Sequence, residues 1–542
     1  MKTGRCNALN AIGFNEAYRI NVRMREILLA ALSAILLALS FPDSGTGYVA
    51  WVALVPLVLA VEGKGWRESF LLGCLSGLLF FTALFHWIWT VSAFNVFDYL
   101  LLGVVYLPLY IALWTLGLAL VQHHRVLPFS VFAGSLWVAL EYTRSNFGFL
   151  AFPWMLLGHS QFLQHALVQV SAFTGVYGLS FLIVVVNVAL AQAIRSLLRM
   201  RQINRIAVRC LAWRPLVGSS LTVLALIVYG KSVLGTVPHM SLKVAVVQAN
   251  IPIGLKWHRP NREWIIQQHI DLTMKAAAEH PDLVVWPETA IPGELQLEPA
   301  LQAQIADVAK RADVHLLVGS AERVKFGARD EGNRLYNSMY FLQPDGTIRG
   351  RYQKTKLVPF AEYEPSLGFV KWPAALVATM GATMAGNEFT VFELGKVHFA
   401  SVICWEAIFP EVFREFVKRG AQFMIIATNE AWFADTAAPH QLLAMAVFRA
   451  AENRVAIARA ANTGISAFID PYGRIMATLT DSKGKTFNLA GELVSNVPIS
   501  TTPSFYARYG DLFAFIQISL SFCTLFYVWA DGVRKRMRVY AT

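Results

Sequence analysis

The chain has 542 residues, of which 56% are apolar and 15% are charged, and its mean hydropathy is +0.46. Soluble domains carry about 25% charged residues, so this composition excludes a fully water-soluble enzyme. The net charge of +12 does not indicate nucleic-acid binding, because the basic residues lie in short runs beside long apolar stretches, as in cytoplasmic loops of membrane proteins.

Two long stretches near the N-terminus carry almost no formal charge. Between Phe70 and Gln122 the single ionised side chain is Asp98, and between Leu150 and Ala193 there is none. About 20 apolar residues span the roughly 30 Å of membrane hydrocarbon, so we expect these stretches to fold as helices. About eight membrane spans are predicted, near residues 27–42, 47–61, 69–91, 98–122, 127–141, 166–194, 215–235 and 512–530. A buried core helix is the alternative for the first, second and fifth, which are short.

The basic residues predict how these spans are oriented. With eight spans and both termini in the cytoplasm, the outer loops near 43–46 and 92–97 carry no Lys or Arg, and the loop near 142–153 carries only Arg144. The predicted inner segments contain Lys2, Arg5, Arg19, Arg23, Arg25, Lys64, Arg67, Arg125, Arg195, Arg199, Arg201, Arg205, Arg209, Arg534, Lys535, Arg536 and Arg538. We therefore predict a helical bundle of about seven spans over 1–236, an outer domain over 237–505, and a final span with a basic tail over 506–542.

The outer segment has the pattern of a water-soluble domain. Short β-branched runs alternate with amphipathic helical patterns at Leu301–Arg311 and Leu442–Glu452, which favours an α/β layered domain. Strands are predicted at Leu242–Val247, Leu283–Trp286, His315–Val318, Val397–Ile403, Phe423–Ala427 and Ser466–Ile469.

Cys404 is the first candidate for chemistry. The five cysteines have no paired spacing, so they indicate neither a disulfide framework nor a zinc site: Cys6, Cys74, Cys210, Cys404 and Cys523. Cys404 ends an apolar strand pattern and precedes a helical one. A thiol at such a turn lies near free backbone N–H groups, which favour the thiolate and can hold an oxyanion. A buried structural thiol is the alternative.

Two further positions carry suitable groups. Glu288 directly follows a predicted strand, where it can act as a general base or, alternatively, begin a helix. Lys354 and Lys356 lead into an apolar run, and a lysine held there can stabilise an oxyanion. The residues themselves do not separate these two lysines, and either can be an ordinary surface lysine.

These residues lie in motifs that resemble the nitrilase, or carbon-nitrogen hydrolase, superfamily. The motifs are Trp286-Pro-Glu288, Tyr352-Gln-Lys354-Thr-Lys-Leu-Val-Pro-Phe360-Ala-Glu362 and Ile403-Cys404-Trp-Glu406. The membrane layout and three further segments narrow the resemblance to the apolipoprotein N-acyltransferase family. These segments are Phe152-Pro-Trp154, Asn250-Ile-Pro-Ile-Gly-Leu-Lys-Trp257 and Thr428-Asn-Glu-Ala-Trp-Phe433.

The resemblance implies a four-layer α-β-β-α sandwich joined to a membrane bundle. It implies that Glu288 is the general base, Cys404 the nucleophile and Lys354, rather than Lys356, the oxyanion-stabilising cation. Glu362 and Glu406 would be supporting carboxylates. Aromatic rings favour the membrane interface, and the expected substrate lining is Trp154, Trp257, Trp432 and Phe433. We expect mobile loops near Trp257 and Phe360. The family commonly has Tyr, Gly, Asp and Gly where this chain has Trp405, Ala361, Glu430 and Ala434.

The implied reaction moves a fatty acyl chain from a membrane phospholipid, with phosphatidylethanolamine the expected donor, to a cysteine thioester. The chain then passes to the α-amino group of an S-diacylglyceryl cysteine on an apolipoprotein. We expect no metal or organic cofactor, and a bacterial inner-membrane location with the catalytic domain facing the periplasm. The alternatives are a membrane-tethered amidase or nitrilase with water as acceptor, and a transporter or lipid-binding protein with an inactive outer domain. Scarce intramembrane charges argue against the latter.

Overall fold

The computed structural model describes residues 24–42, 45–91, 99–124, 126–200, 206–235, 240–325, 333–366, 368, 383–433 and 435–541. Some features named above lie outside these residues. They are the N-terminal segment with Cys6, the outer loop at 92–97, Arg125, Arg201, Arg205 and Ala434.

Long apolar helices make up the N-terminal part of the described chain. They are α1 (24–39), α2 (Gly47–Val61, interrupted), α3 (Trp66–Leu84), α4 (Leu100–Val121), α5 (Phe129–Asn146), α6 (Tyr177–Met200) and α7 (Ile206–Leu234). A C-terminal helix follows at Leu512–Ala541. Five helices, α3, α4, α6, α7 and the C-terminal one, are long and apolar enough to cross a membrane. The count of eight spans remains a prediction.

The single helix expected over 166–194 is wrong. The chain instead forms two short helices, His165–Val168 and Ser171–Thr174, before α6 begins. Gly175, which lies between the second short helix and α6, has φ +63°. The backbone N–H of Val176 donates a 3.0 Å hydrogen bond to Glu452 Oε1. This left-handed turn and its tertiary contact break the helix where apolar content alone predicts continuity. Similarly, α3 ends at Leu84, before the expected 91.

Two sheets form the outer domain. The strands are β1 (Ser241–Gln248), β2 (Leu283–Val285), β3 (Ile291–Glu294), β4 (His315–Lys325), β5 (Asn333–Leu342), β6 (Ile348–Gln353), β7 (Phe392–Leu394), β8 (Val397–Ile403), β9 (Phe423–Thr428), β10 (Ala456–Ala461), β11 (Ala467–Ile469), β12 (Ile475–Thr478) and β13 (Gly491–Pro498). The first sheet has the order β13-β1-β2-β4-β5-β6, with β3 paired to β4. The second has the order β12-β11-β10-β9-β8-β7.

The alternation of side chains along β1 explains the layers. Val244 and Val246 face the core shared with the second sheet, whereas Ala245 and Val247 face a separate core. Helices α8 (Arg262–Ala277) and α9 (Pro299–Ala312) cover that separate core. Helices α10 (Pro410–Lys418) and α11 (Ala438–Asn453) form the fourth layer. The α-β-β-α sandwich joined to a helical bundle is therefore confirmed.

All six predicted strands are present within one or two residues of the expected ends, apart from β4, which is longer. Strand β10 was not predicted, because its composition Ala-Ile-Ala-Arg-Ala-Ala favours a helix. It forms a strand because it pairs with β9 on one side and β11 on the other, so sheet pairing overrides local propensity.

Helix α11 connects the sandwich to the bundle. All of its residues except His440 are buried, because it packs on β10 and β11 and also on Ser171–Thr174. Polar contacts cross the same junction: Arg454 donates to Gln169 Oε1 at 2.5 Å. The residues that follow β9 therefore lie against the bundle.

A buried ion pair in the second sheet gives a test of this packing. Arg459 in β10 pairs with Glu430, which follows β9, and neither side chain reaches solvent. We expect Arg459→Met to lower the free energy of unfolding by about 3–5 kcal/mol, because it leaves the Glu430 carboxylate buried without a cation. Denaturant titration of the detergent-solubilised protein measures the change.

Arg311→Met is the matched control, since it breaks an exposed pair with Asp307 at 3.3 Å. It should cost less than about 1 kcal/mol. Equal losses for the two variants would contradict the assignment of Arg459 and Glu430 as a buried structural pair.

Candidate active site

The candidate residues lie at the carboxyl ends of strands from both sheets. Glu288 follows β2, Lys354 follows β6 directly, and Cys404 follows β8 directly. Since β2 and β6 belong to the first sheet and β8 to the second, only the packing of the two sheets brings these side chains together.

Lys354 carries a buried ammonium group between two carboxylates. Its side chain is 1% exposed, its Nζ donates to Glu362 Oε1 at 2.7 Å, and Nζ lies 3.9 Å from Glu288 Oε1. Burial opposes the charge, but Glu362 and Glu288 outweigh it and raise the pKa of Lys354 above its ordinary value. The ammonium therefore stays charged across the physiological range.

Lys356, which the residue pattern did not separate from Lys354, has different surroundings. Its Nζ donates to Glu411 Oε1 at 2.6 Å and lies 4.2 Å from the centre of the Phe409 ring. The side chain is 38% exposed. Of the two lysines, Lys354 is the one that the structure brings to Glu288.

Hydrogen bonds orient the Glu288 carboxylate from two sides. Its Oε1 accepts from Asn337 Nδ2 at 2.7 Å, and its Oε2 accepts from the backbone N–H of Asn429 at 2.9 Å. Asn337 lies in β5 and Asn429 follows β9, so each sheet contributes one donor. The carboxylate is held in one position relative to Lys354.

Cys404 adopts a backbone conformation that is uncommon for residues other than glycine. Its φ is +51°, and it begins the short helix Cys404–Ile408. Such strain persists only where surrounding contacts impose it, and it is frequent at functional sites. The pKa of the Cys404 thiol is raised to about 12, mainly by burial and then by the charge of Glu288, against the lowering effects of Lys354 and a hydrogen bond with Thr428.

Glu406 lies outside the cavity lining and accepts hydrogen bonds from two neighbouring segments. Its Oε1 accepts from the Tyr352 hydroxyl and from the Thr355 backbone N–H, both at 2.7 Å, and its Oε2 accepts from the Ile403 N–H at 2.8 Å. These bonds join the end of β6 to the end of β8. Glu406 thus positions the segments of Lys354 and Cys404 without lining the cavity.

A cavity of about 120 Å³ contains the reactive groups. Glu288, Lys354, Glu362 and Cys404 form its polar part. Its other walls are apolar and largely aromatic: Trp87, Ile88, Val91, Leu102, Phe152, Trp154, Val358, Ala361, Trp405, Trp432 and Phe433. The structure thus places three of the four expected aromatic residues at the cavity. Trp257, which is 55% exposed, lies outside this lining.

Two of the residues that differ from the family pattern line the cavity. Trp405 and Ala361 belong to the cavity wall, and the Trp405 ring centre lies 6.0 Å from that of Trp154. Glu430 is buried beside Arg459, and burial raises the pKa of this carboxyl.

Lys256 was not recognised in the sequence. It is buried, and its Nζ donates to the backbone carbonyl of Glu288 at 3.0 Å. Burial lowers the pKa of Lys256 to about 8. The residue lies within the segment that resembles the family, next to Trp257, but a single lysine at the end of a four-residue helix carries no local signal of burial.

Together these residues present a thiol, a carboxylate and an ammonium in one apolar cavity. A positioned carboxylate can take the thiol proton, and a buried cation with backbone N–H groups can stabilise an oxyanion. The aromatic walls favour an apolar substrate. The site suits nucleophilic attack on the carbonyl carbon of an acyl compound.

Comparison with known proteins identifies two matching sequence families. Residues 243–490 match the family described as carbon-nitrogen hydrolase, and residues 33–189 match the apolipoprotein N-acyltransferase N-terminal domain. The apolipoprotein N-acyltransferase of Geobacter metallireducens is 37% identical over 91% of this chain and 94% of its own length. That of Brucella melitensis is 31% identical over 84% of this chain and 87% of its own length. That of Thermotoga maritima is 29% identical over 94% of this chain and 95% of its own length.

The charge of Glu288 gives a prediction about thiol reactivity. Because Glu288 raises the pKa of Cys404, Glu288→Gln should lower that pKa and increase the thiolate fraction at a given pH. We expect the pH midpoint of Cys404 alkylation to move to lower pH in this variant, with rates rising with pH in both proteins. Mass spectrometry of the Cys404 peptide after iodoacetamide treatment measures the rates.

Glu393→Gln serves as a control, because Glu393 is an exposed carboxylate on β7. It should leave the alkylation rate unchanged. An unchanged or higher pH midpoint in Glu288→Gln would show that the Glu288 charge does not oppose the thiolate.

Proposed function

Because this chain belongs to the apolipoprotein N-acyltransferase family, we propose that Cys404, Glu288 and Lys354 carry out its acyl transfer. Cys404 is the nucleophile, Glu288 the general base and Lys354 the cation that stabilises the oxyanion. The main support is that one buried cavity holds all three groups, with Nζ of Lys354 3.9 Å from Glu288. Glu362 holds the Lys354 ammonium, and Glu406 positions both segments.

The first step forms a thioester. Glu288 takes the proton from Cys404 Sγ as the sulfur attacks an ester carbonyl carbon of a phospholipid. Concerted removal matters here, because a thiol with a pKa of about 12 is almost fully protonated at neutral pH. Lys354 and backbone N–H groups after β8 stabilise the tetrahedral oxyanion. The C–O bond then breaks, the leaving glycerol oxygen takes the proton from Glu288, and a lysophospholipid departs.

The second step transfers the acyl chain to nitrogen. The α-amino group of an S-diacylglyceryl cysteine attacks the thioester carbonyl, and Glu288 accepts a proton from that nitrogen. The C–S bond breaks, Cys404 regains its proton, and an amide remains. The same three groups serve both steps. Because the lysophospholipid departs before the amine attacks the thioester, the reaction is a ping-pong transfer.

The position of the cavity suits substrates that stay in the membrane. Its walls include Trp87 and Trp154 from the bundle and Trp432 and Phe433 from the sandwich, so it lies at their junction. We assign residues 237–505 to the periplasmic face of the inner membrane, with both termini cytoplasmic. Phosphatidylethanolamine is the proposed acyl donor and diacylglyceryl-cysteine apolipoproteins are the acceptors.

The acyl-enzyme can be observed directly. We expect purified protein mixed with phosphatidylethanolamine to carry a fatty-acyl mass on the Cys404 peptide, which hydroxylamine releases. Adding a diacylglyceryl-cysteine peptide should move this mass to the amino group of the peptide. Cys404→Ala should carry no adduct, whereas Cys523→Ala, which removes an exposed thiol of the C-terminal helix, should behave as the wild type.

Release of the acyl group as free fatty acid, with none on the acceptor, would instead indicate a hydrolase. Absence of any wild-type adduct would refute Cys404 as the nucleophile.

The two neighbouring lysines provide a matched comparison. Lys354→Met should lower kcat by about 100- to 1,000-fold, because it removes the cation that stabilises the developing negative charge. Lys356→Met should change kcat by less than about threefold, since Lys356 pairs with Glu411 outside the cavity. Acyl transfer to a labelled peptide at saturating phospholipid measures both. Similar losses in the two variants would remove the distinction between these lysines.

A further inference from the structure

One glutamine side chain holds two tryptophans of the cavity wall. Gln441 in α11 is buried, and its Oε1 accepts from the indole N–H of Trp87 at 3.1 Å and of Trp154 at 2.7 Å. Its Nε2 donates to the backbone carbonyl of Leu84 at 3.1 Å. Both lone pairs of the amide oxygen are therefore engaged by rings that line the catalytic cavity.

These rings form a continuous apolar surface. The ring centres of Trp87 and Trp154 lie 4.9 Å apart, and the Phe433 ring packs edge-on against Trp87 at 5.1 Å. If an indole lost its hydrogen-bond acceptor, its buried N–H would be unpaired in this orientation, and that cost favours rotation of the ring. The shape of the wall thus depends on Gln441, although Gln441 itself does not line the catalytic cavity.

A second, larger cavity lies on the other side of Gln441. It has a volume of about 520 Å³ and lies between α1 and α3, with mostly apolar residues around it. Leu84, Ala437 and Gln441 close it toward the sandwich. Gln441 therefore lies between an open apolar space in the bundle and the tryptophans that bound the reactive cavity.

We propose that Gln441 determines which acyl-chain lengths the enzyme accepts. By holding Trp87 and Trp154, it closes the catalytic cavity toward the second cavity and limits the space for the donor chain. This inference rests on the proposed function, in which that chain lies in the cavity as the thioester forms. Gln441 touches no reacting atom, so it is a positioning residue.

The test compares chain-length profiles of the acyl-enzyme. Wild type, Gln441→Ala and Gln441→Met are each given an equimolar mixture of phosphatidylethanolamines with saturated chains of increasing length. Mass spectrometry of the Cys404 peptide gives the ratio of long to short chains. We expect Gln441→Ala to raise this ratio by about fourfold per added methylene that becomes buried. Gln441→Met keeps the volume but offers no amide acceptor, and we expect a smaller shift in the same direction.

Gln169→Met is the matched control. Gln169 is also a buried glutamine at the junction, where its Nε2 donates to the Tyr472 carbonyl at 2.8 Å and its Oε1 accepts from Arg454 at 2.5 Å. It lies outside both cavities. Its loss disturbs the junction equally, so we expect the wild-type chain-length ratio.

A wild-type ratio in Gln441→Ala, or slower acylation at every length with that ratio unchanged, overturns the inference and leaves the proposed function intact. Absence of an adduct in the wild type refutes the proposed function instead. If Gln441→Ala does not fold, the profile of Gln441→Met decides, and an unchanged ratio there overturns the inference.

Discussion

The buried ammonium of Lys354 constrains the positions of the carboxylates around it, and through them the rest of the site. A cation removed from water needs compensating carboxylates at short range, and Glu362 at 2.7 Å and Glu288 at 3.9 Å supply them. Glu362 is itself held by the Val358 N–H at 2.7 Å, and Glu288 is held by donors from both sheets. The same carboxylate that compensates Lys354 opposes ionisation of Cys404. Burial and the Glu288 charge therefore favour the protonated thiol, and in the proposed mechanism the proton moves to Glu288 at the moment of attack.

At the junction between the sandwich and the bundle, buried polar side chains also need partners within the protein. All residues of helix α11 except His440 are buried, so its buried polar side chains need hydrogen-bond or ion-pair partners within the protein. Glu452 accepts from Val176 at the start of α6 and pairs with Arg449 in its own helix. Gln441 satisfies two indoles and one carbonyl of the bundle. These contacts fix the reactive cavity at the boundary between the two parts.

The charged and the apolar groups that line the cavity lie in separate regions of its wall. The ionisable side chains cluster at the strand ends, and the aromatic rings come from both parts, with Trp87 and Trp154 from the bundle and Trp432 and Phe433 from the sandwich. An apolar wall suits an acyl chain, and a dry environment strengthens the electrostatic effect of Lys354 on an oxyanion. Trp405 contributes a large ring to this wall where the family commonly has tyrosine, which extends the apolar surface beside the nucleophile.

The sequence by itself determined the apolar helices, six strands and the positions of Glu288, Lys354 and Cys404, because periodicity, charge-free runs and short motifs are local properties. The resemblance supplied their roles. The resemblance favoured Lys354 over Lys356, and only the tertiary structure showed how the surroundings of the two lysines differ, since burial and ion pairing depend on residues distant in the chain. The tertiary structure also decided the break near Gly175, the strand at Ala456–Ala461, and the parts played by Lys256, Asn337 and Gln441. Each of these depends on a contact across many residues, and local propensity carries no information about such contacts.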